Sequence, residues 1–307
     1  MRSVLLKVDE SVMNNKIFEL HKPLFCLREA LKEHSINFST ADLGHEEECE
    51  KIIVWDLNGP NLSYVRECIA KGWQNKLILL LWEVPVVLSD NWNLENHRYF
   101  AKIFTWDDDF VDNQKYLKIY CPQTELPYYG IELPYTEKKL CTMIVSNKMY
   151  HHPQELYSER IKAINFFEEI TPQQFDLYGF GWNYSVKSYR GTVQSKEQAY
   201  ARYKFAICYE NITKVNGCIT EKIFDCFRGG CVPIYFGADN VNDYIPPDTF
   251  IDRRNFGSYE ELLDFLLSID EQRYKQYIAS IAAYAHSDKF KLFGIDNFVN
   301  ILLPHLS

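Results

Sequence analysis

Short apolar runs alternate with amphipathic, helix-like segments from one end of the chain to the other. This alternation is the feature that most limits the possible folds, because it is typical of βαβ units, in which crossover helices join parallel strands. The sequence therefore predicts an α/β fold with parallel sheets. Since 307 residues is long for one hydrophobic core, we expect two domains of comparable size.

The alternation falls into two blocks. The first block predicts strands at 36–40, 51–55 and 76–82, and helices at 23–33 and 62–71. The second block predicts strands at 141–146, 175–178, 203–209 and 232–236, and helices at 155–169, 221–228, 258–268 and 270–284. Ser258, followed by Glu261 three residues later, is a capping-box pattern that marks a helix start.

Regular patterning weakens after Asp90, and the stretch 127–134 is rich in proline and tyrosine. Irregular segments of this length usually connect more regular parts of a chain. We therefore expect two Rossmann-like domains facing a central cleft, at residues 1–135 and 136–307. Whether the last helix packs back on the N-terminal domain is left open.

The charge balance argues against one large class of functions. A net charge of −9 and an isoelectric point near 5.5 disfavour nucleic-acid binding, because phosphate backbones attract basic surfaces.

The first apolar run is too short for a signal peptide, and no run is long enough for a transmembrane segment. The nine cysteines are scattered without a CxxC pair, which favours a reduced, cytoplasmic chain and leaves peripheral membrane association open.

The strongest functional signal lies where the strand at 203–209 ends and the helix at 221–228 begins. Ligands of open parallel sheets bind at the carboxyl ends of strands, where helix N-termini direct free N–H groups outward. Thr220 is the expected N-cap of the helix, and Gly229 is its expected C-cap. Five candidate residues lie at the last position of this strand, directly after it, or in the first turn of this helix: Tyr209, Glu210, Asn211, Glu221 and Lys222.

Lys222 is unusual because it lies in the first turn of its helix. A positive charge there opposes the helix dipole, so its presence suggests that an anion is held beside it. A solvated surface lysine is the alternative, and it is the commoner fate of a single lysine. The strand-to-helix context favours the anion site.

A longer set of motifs continues this segment. In chain order they are Val145-Ser146-Asn147-Lys148, Leu177-Tyr178-Gly179-Phe180-Gly181-Trp182, Tyr189-Arg190-Gly191, Tyr209-Glu210-Asn211, Thr220-Glu221-Lys222, Val232-Pro233-Ile234-Tyr235, Asn240, Tyr244-Ile245-Pro246 and Phe250-Ile251-Asp252. This set closely resembles the signature of glycosyltransferase family 10, the α1,3/α1,4-fucosyltransferases. The resemblance is specific over about residues 140–256 and looser around Trp82-Glu83 and 104–107.

The resemblance implies a GT-B fold with an N-terminal acceptor-binding domain and a C-terminal GDP-sugar-binding domain. It also implies that fucose passes from GDP-fucose to a glycan hydroxyl with inversion at the sugar carbon. The implied partners are a GDP-sugar donor and an oligosaccharide or glycoconjugate acceptor. Neither a catalytic metal nor another cofactor is expected.

Residue roles follow from the same resemblance. Lys222 would pair with the diphosphate, Glu221 would hold the nucleotide ribose, and Asn211 would lie near the sugar. Lys187 or Arg190 would supply a second cation, and Ser146 with Asn147 would complete the binding edge. One departure is Cys218, because bacterial members commonly have a nucleotide-contacting tyrosine there.

Two other functions stay open. The same fold could use a different GDP- or UDP-sugar, or it could bind sugar nucleotides or glycans without catalysis. Asp107-Asp108-Asp109 is expected to be a solvated turn rather than a metal site. Gly179-Phe180-Gly181 lacks the third glycine of a dinucleotide fingerprint, which disfavours a nicotinamide enzyme.

Glu83 is the predicted general base. It follows the apolar run at 76–82 and should emerge at the carboxyl end of a buried strand, as a proton acceptor for the acceptor hydroxyl. Its apolar neighbours predict a partly desolvated carboxylate. A structural role at the strand end is the alternative, with Glu95 or Asp107 as substitute bases.

Overall fold

The computed structural model of the chain describes residues 2–124, 126 and 133–307. Internal contacts divide the chain into two units, Met1–Pro122 with Leu292–Ser307, and Gln123–Lys291. The first unit therefore ends before the boundary that the sequence predicts after residue 135, and it includes the C-terminal segment. Residues 127–132 of the expected proline- and tyrosine-rich connection lie outside the described residues.

The first unit is built on a six-stranded parallel sheet. Its strands are β1 (Arg2–Lys7), β2 (Ile36–Thr40), β3 (Lys51–Trp55), β4 (Leu77–Leu80), β5 (Lys102–Thr105) and β6 (Tyr116–Lys118), in the order β2-β1-β3-β4-β5-β6. Its first four helices are α1 (Lys16–Leu20), α2 (Lys22–Glu33), α3 (Gly59–Ala70) and α4 (Leu94–His97).

Two hydrophobic clusters lie on the two faces of this sheet. Ile53 and Ile78 belong to the cluster that also contains apolar residues of α2, whereas Ile52 and Leu77 belong to the one that contains residues of α3. Neighbouring strand residues thus point to opposite covered faces. This double burial explains why the strands read as continuous apolar runs.

Part of the first unit departs from the sequence prediction. The region after Asp90 is not a simple connection between domains, because it contains α4, β5 and β6. β1 is also a strand that the patterning does not single out. β5 and β6 are four and three residues long, which is too short for a periodic pattern to be recognised.

The second unit contains a five-stranded parallel sheet in the order β11-β10-β9-β7-β8. Its strands are β7 (Lys139–Ile144), β8 (Phe175–Tyr178), β9 (Tyr203–Tyr209), β10 (Val232–Phe236) and β11 (Ile251–Asp252). Its helices are α5 (Tyr157–Ile170), α6 (Lys196–Tyr200), α7 (Glu221–Arg228), α8 (Val241–Tyr244), α9 (Tyr259–Ser268), α10 (Glu271–Ala285) and α11 (Asp288–Lys291).

The last helix, α12 (Ile295–Leu302), belongs to the first unit. Its Phe298 and Leu302 are buried in the hydrophobic cluster that contains Leu24 and Leu27 of α2. Among all the helices of the described residues, none is both long and apolar enough to cross a membrane.

Candidate active site

The candidate site in the second unit is formed where β9 and β10 end beside the start of α7. The two strands are paired up to Tyr209 and Phe236, and the Glu210 N–H donates to the Phe236 carbonyl over 2.8 Å. Both strands therefore end at the same edge of the sheet. Ligands of open parallel sheets bind at such an edge, outside the carboxyl ends of the strands. Glu210 and Asn211 follow immediately.

Glu210 is a fully buried carboxylate at this edge, with 0% of its surface exposed. One of its oxygens accepts the Thr220 N–H over 2.9 Å, and the other accepts the Thr220 hydroxyl over 2.7 Å. A Cβ at Gly237 would lie 2.5 Å from the Glu210 Cγ, so only glycine leaves room for this side chain. Glu210 therefore anchors the N-cap of α7 from inside the fold.

Lys222 completes this cluster. Its ammonium lies 3.2 Å from a Glu210 oxygen, 3.7 Å from a Glu221 oxygen and 3.0 Å from the Thr220 hydroxyl, and its side chain is only 24% exposed. Burial alone would lower the pKa of Lys222, but Glu210 and Glu221 outweigh it, so the pKa lies above its ordinary value. Lys222 is not a solvated surface lysine, and it remains charged at the first turn of a helix.

Glu221 presents its carboxylate more openly, with 47% of the side chain exposed. Burial tends to raise the pKa of Glu221, but the charges of Lys222 and Lys196 more than compensate, so the pKa is lowered. The group is therefore an ionised acceptor beside a fixed cation. Such a carboxylate can accept hydrogen bonds from the hydroxyls of a sugar.

Asn211 is oriented by Arg160, a buried residue of α5. The Arg160 guanidinium donates to the Asn211 side-chain oxygen over 3.0 Å and to the Tyr209 and Glu210 carbonyls over 2.7 and 2.8 Å. The Asn211 side-chain oxygen already accepts from Arg160, and the amide nitrogen of the same side chain can donate hydrogen bonds to a ligand. Arg160 has no distinguishing sequence pattern, since it is one cationic residue within an amphipathic helix.

Two of the predicted binding residues support the edge rather than line it. Tyr209 is 2% exposed, and its hydroxyl contacts Tyr259 at 3.5 Å. Glu210 is fully buried, and its carboxylate accepts a hydrogen bond from Thr220 and forms an ion pair with Lys222. Their place among the predicted binding residues stays a prediction, and in this structure their side chains lie inside the fold.

Lys187 and Arg190 follow β8 but differ in their surroundings. The Arg190 Nε lies 2.7 Å from a carboxylate oxygen of Asp176, a buried residue whose other oxygen contacts Lys139 at 2.6 Å. Lys187 is exposed, and none of the ion pairs between described residues involves it. Arg190 is thus already charge-compensated, whereas the Lys187 ammonium faces solvent.

Ser146 and Asn147 follow β7 and are held against the loop that leaves β8. The Asn147 N–H donates to the Phe180 carbonyl over 2.8 Å. Gly179 has a φ of +136°, and a Cβ there would lie 1.9 Å from the Val145 carbonyl oxygen. Glycine is therefore required for this close approach, which keeps Ser146 at the sheet edge.

Cys218 occupies the position where the resemblance leads one to expect a nucleotide-contacting tyrosine. It is 2% exposed, and its carbonyl accepts from the Tyr235 hydroxyl over 3.4 Å. The side chain therefore faces the interior of the unit. This position does not supply a surface contact in the present chain.

In the first unit, Glu83 lies beyond the carboxyl end of β4 and is partly buried. Its carbonyl accepts from the Asn91 amide over 3.2 Å and from the Trp92 indole over 3.0 Å. Its N–H donates to Asp56, over 3.2 Å. Asp56 is not among the residues predicted from the sequence, although a carboxylate placed directly after a strand is itself a recognisable signal.

Asp107 lies beyond β5 and is only 8% exposed. Burial, together with the neighbouring charges of Asp109 and Asp108, raises the pKa of Asp107 to about 6. The Asp109 N–H donates to its carboxylate over 2.9 Å. The predicted solvated turn is therefore wrong for Asp107, because the carboxylate is turned into the fold.

Solved structures identify this architecture. An α1,3-fucosyltransferase with GDP matches 99% of this chain and 90% of its own length, with a TM-score of 0.62 and 16% identity. The DNA-modifying enzyme β-glucosyltransferase matches 100% of this chain and 99% of its own, with a TM-score of 0.61 and 12% identity. The chain therefore has the GT-B fold of glycosyltransferases, as the sequence predicts.

The family follows from sequence comparison. The profile of glycosyltransferase family 10 (fucosyltransferase), C-terminal part, matches residues 135–291, about half of the chain. These residues include the Glu210, Thr220 and Lys222 cluster. The chain belongs to glycosyltransferase family 10.

Individual relatives agree with this assignment. An α-(1,4)-fucosyltransferase of Arabidopsis thaliana is 45% identical over 83 residues, 26% of this chain and 20% of the relative. The α-(1,3)-fucosyltransferase FucT of Helicobacter pylori is 34% identical over 104 residues, 34% of this chain and 20% of the relative. The α-(1,3)-fucosyltransferase 7 of Rattus norvegicus is 28% identical over 195 residues, 61% of this chain and 47% of the relative. The matched part thus spans at most about half of these relatives.

Proposed function

We propose that the chain transfers fucose from GDP-fucose to a hydroxyl of an oligosaccharide or glycoconjugate, with inversion at the sugar carbon. The observation that carries the proposal is the Glu210, Thr220 and Lys222 cluster, which lies inside the segment that matches the family. The cluster keeps a charged ammonium at the sheet edge where parallel α/β domains bind ligands. A cytoplasmic location is part of the proposal, because the cysteines lack paired spacing.

The donor is proposed to bind through three groups of the second unit. Lys222 would neutralise the diphosphate, Glu221 would accept from the ribose hydroxyls, and Asn211 would donate its amide to the sugar. Charge-assisted bonds to phosphate are among the stronger polar contacts in proteins, so Lys222 should contribute most to donor affinity. Lys187 or Arg190 is proposed as the second cation.

The chemical step needs two further contributions. Glu83 is proposed to take the proton of the acceptor hydroxyl as the new glycosidic bond forms. The negative charge that develops on the departing GDP is proposed to be stabilised by Lys222 and the second cation, without a metal. Electrostatic stabilisation of this kind costs no reorganisation, since the cluster is preassembled by Glu210 and Thr220.

Calorimetric titration with GDP, UDP and ADP tests the donor assignment. GDP should bind more tightly than the other two nucleotides. Equal or tighter UDP binding would transfer the proposal to a UDP-sugar enzyme of the same fold. Tight GDP binding without turnover of any GDP-sugar would instead indicate a binding protein.

A further inference from the structure

Asp56 occupies a specialised position directly after β3. Its backbone has a φ of +60°, in the left-handed region that asparagine and aspartate tolerate best among non-glycine residues. Its carboxylate is almost completely buried, with 8% of the residue exposed. A buried carboxylate normally requires several hydrogen-bond donors, and Asp56 has them.

Three donors converge on one oxygen of Asp56. The Trp82 N–H lies at 2.8 Å, the Glu83 N–H at 3.2 Å and the Asn91 side-chain amide at 2.6 Å. The Glu83 N–H also lies 3.4 Å from the second oxygen. Asp56 therefore joins the end of β3 to both ends of the segment at 82–91.

The same network fixes the other side of Glu83. Its carbonyl accepts from the Asn91 amide and the Trp92 indole. Both peptide groups that flank the Glu83 Cα are thus held, one by Asp56 and one by Asn91 and Trp92. Because the two peptide planes define the Cα–Cβ direction, the side chain of Glu83 leaves the backbone in one direction.

We propose that Asp56 is a positioning residue for Glu83, and that its carboxylate fixes the backbone from which the Glu83 carboxylate reaches the acceptor hydroxyl. This inference rests on the proposed role of Glu83 as general base. Asp56 acts through Glu83 and does not touch the substrate. A positioned base should lower the reaction barrier without changing donor affinity.

Three substitutions separate the possible contributions of Asp56. Asp56→Ala removes the acceptor but also strains the left-handed backbone, whereas Asp56→Gly removes the acceptor without that strain. Asp56→Asn keeps an oxygen acceptor and tolerates the backbone conformation. We expect kcat to fall at least about tenfold in the alanine and glycine variants, with asparagine close to wild type.

Asp112 offers a matched control in the same unit. One of its carboxylate oxygens accepts three N–H groups, from Gln114, Lys115 and Tyr116, at 2.7 to 2.8 Å. Asp112→Ala therefore removes the same kind of anchor from an unrelated turn. It should leave kcat, the KM for GDP-fucose and the Kd for GDP unchanged. In the Asp56 variants only kcat should change, while the two donor constants stay within about twofold of wild type.

A double substitution tests whether Asp56 acts through Glu83. If it does, Asp56→Gly combined with Glu83→Gln should be no slower than Glu83→Gln alone. A double variant in which the kcat reductions of the two single variants multiply would overturn the inference. An Asp56→Gly variant whose affinity for GDP falls as much as its kcat would also overturn it. Near wild-type turnover of Glu83→Gln would remove the base assignment, and the inference with it.

Amide hydrogen exchange over residues 82–92 tests the anchor independently of catalysis. Exchange should be faster in Asp56→Ala and Asp56→Gly, and unchanged in Asp56→Asn and Asp112→Ala. Unchanged exchange in the glycine variant would overturn the inference at any level of activity. Absence of transfer in the wild-type protein would instead contradict the proposed function.

Discussion

The Lys222 ammonium lies 3.2 Å from a carboxylate oxygen of the fully buried Glu210. The pair is therefore charge-compensated within the fold, while Lys222 keeps a partly exposed side chain. Removing Lys222 has two separable consequences. It deletes a cation from the proposed diphosphate site, and it leaves Glu210 as a buried anion with one partner fewer.

Lys222→Ala should weaken GDP binding by about ten- to a hundredfold, because a charge-assisted bond to phosphate contributes ~1.5–3 kcal/mol. It should also lower the thermal midpoint, since Glu210 loses its cation. Glu210→Gln in the same background should recover stability but not GDP affinity. Lys162→Ala, which removes an exposed lysine of α5, is the control and should leave both unchanged. An unaltered GDP Kd in Lys222→Ala would exclude Lys222 from the donor site.

The second cation can be assigned by separate alanine substitutions. Lys187→Ala should leave the thermal midpoint unchanged, because the side chain is exposed and has no ion pair among the described residues. Arg190→Ala should lower the midpoint, because it removes a partner of the buried Asp176. The substitution that also weakens GDP binding identifies the phosphate ligand. Wild-type GDP affinity in the double variant would contradict a second cation in this loop.

Whether a feature of the site can be predicted from the sequence depends on how far apart along the chain the interacting residues lie. The bounds of β9, α7 and β10 follow directly from apolar runs, the N-cap Thr220 and the glycines after α7. The contacts that orient the side chains of the site do not follow from these local patterns. Arg160 reaches Asn211 across 51 positions of the chain.

The first unit shows the same limit of prediction from local sequence. Asp56 reaches Asn91 across 35 positions, so the pairing depends on how strands and loops pack rather than on a local pattern. The burial of Asp107 is likewise a consequence of packing, which three consecutive aspartates do not reveal. Local sequence therefore predicts the framework, and tertiary packing determines which polar groups are exposed.

The buried Asp56 should make stability depend on pH. Burial raises the pKa of Asp56 to about 7, from an ordinary value of 3.8. The folded state therefore binds this proton more tightly than the unfolded chain does. The resulting stabilisation is present at acid pH below the ordinary pKa and is lost as the pH rises through about 7.

Urea unfolding across that pH range checks this prediction. The free energy of unfolding of wild type, minus that of Asp56→Asn, should decrease as the pH rises. Asp176→Asn is a control of opposite sign. Burial alone would raise the pKa of Asp176, but Lys139, Tyr203 and Arg190 outweigh it and lower the pKa below its ordinary value of 3.8. The wild-type advantage over Asp176→Asn should therefore grow as the pH rises towards 3.8 and stay level above it. Parallel pH curves for wild type and Asp56→Asn would refute the Asp56 prediction.

Transfer should not require a divalent metal. Lys222 and the second cation are proposed to stabilise the leaving diphosphate instead. Activity should persist in excess EDTA. Complete loss that manganese restores would contradict this prediction and direct attention to Asp107 and its neighbours.

The proposed fucosyl transfer is tested most directly by measuring GDP release from GDP-fucose in the presence of a panel of galactosides and N-acetylglucosaminides. At least one acceptor should accelerate GDP release, with a fucosylated product formed in equal amount. UDP-sugars should give no release under the same conditions. Release of UDP from a UDP-sugar, or no acceptor-dependent release from GDP-fucose at all, would contradict the proposal.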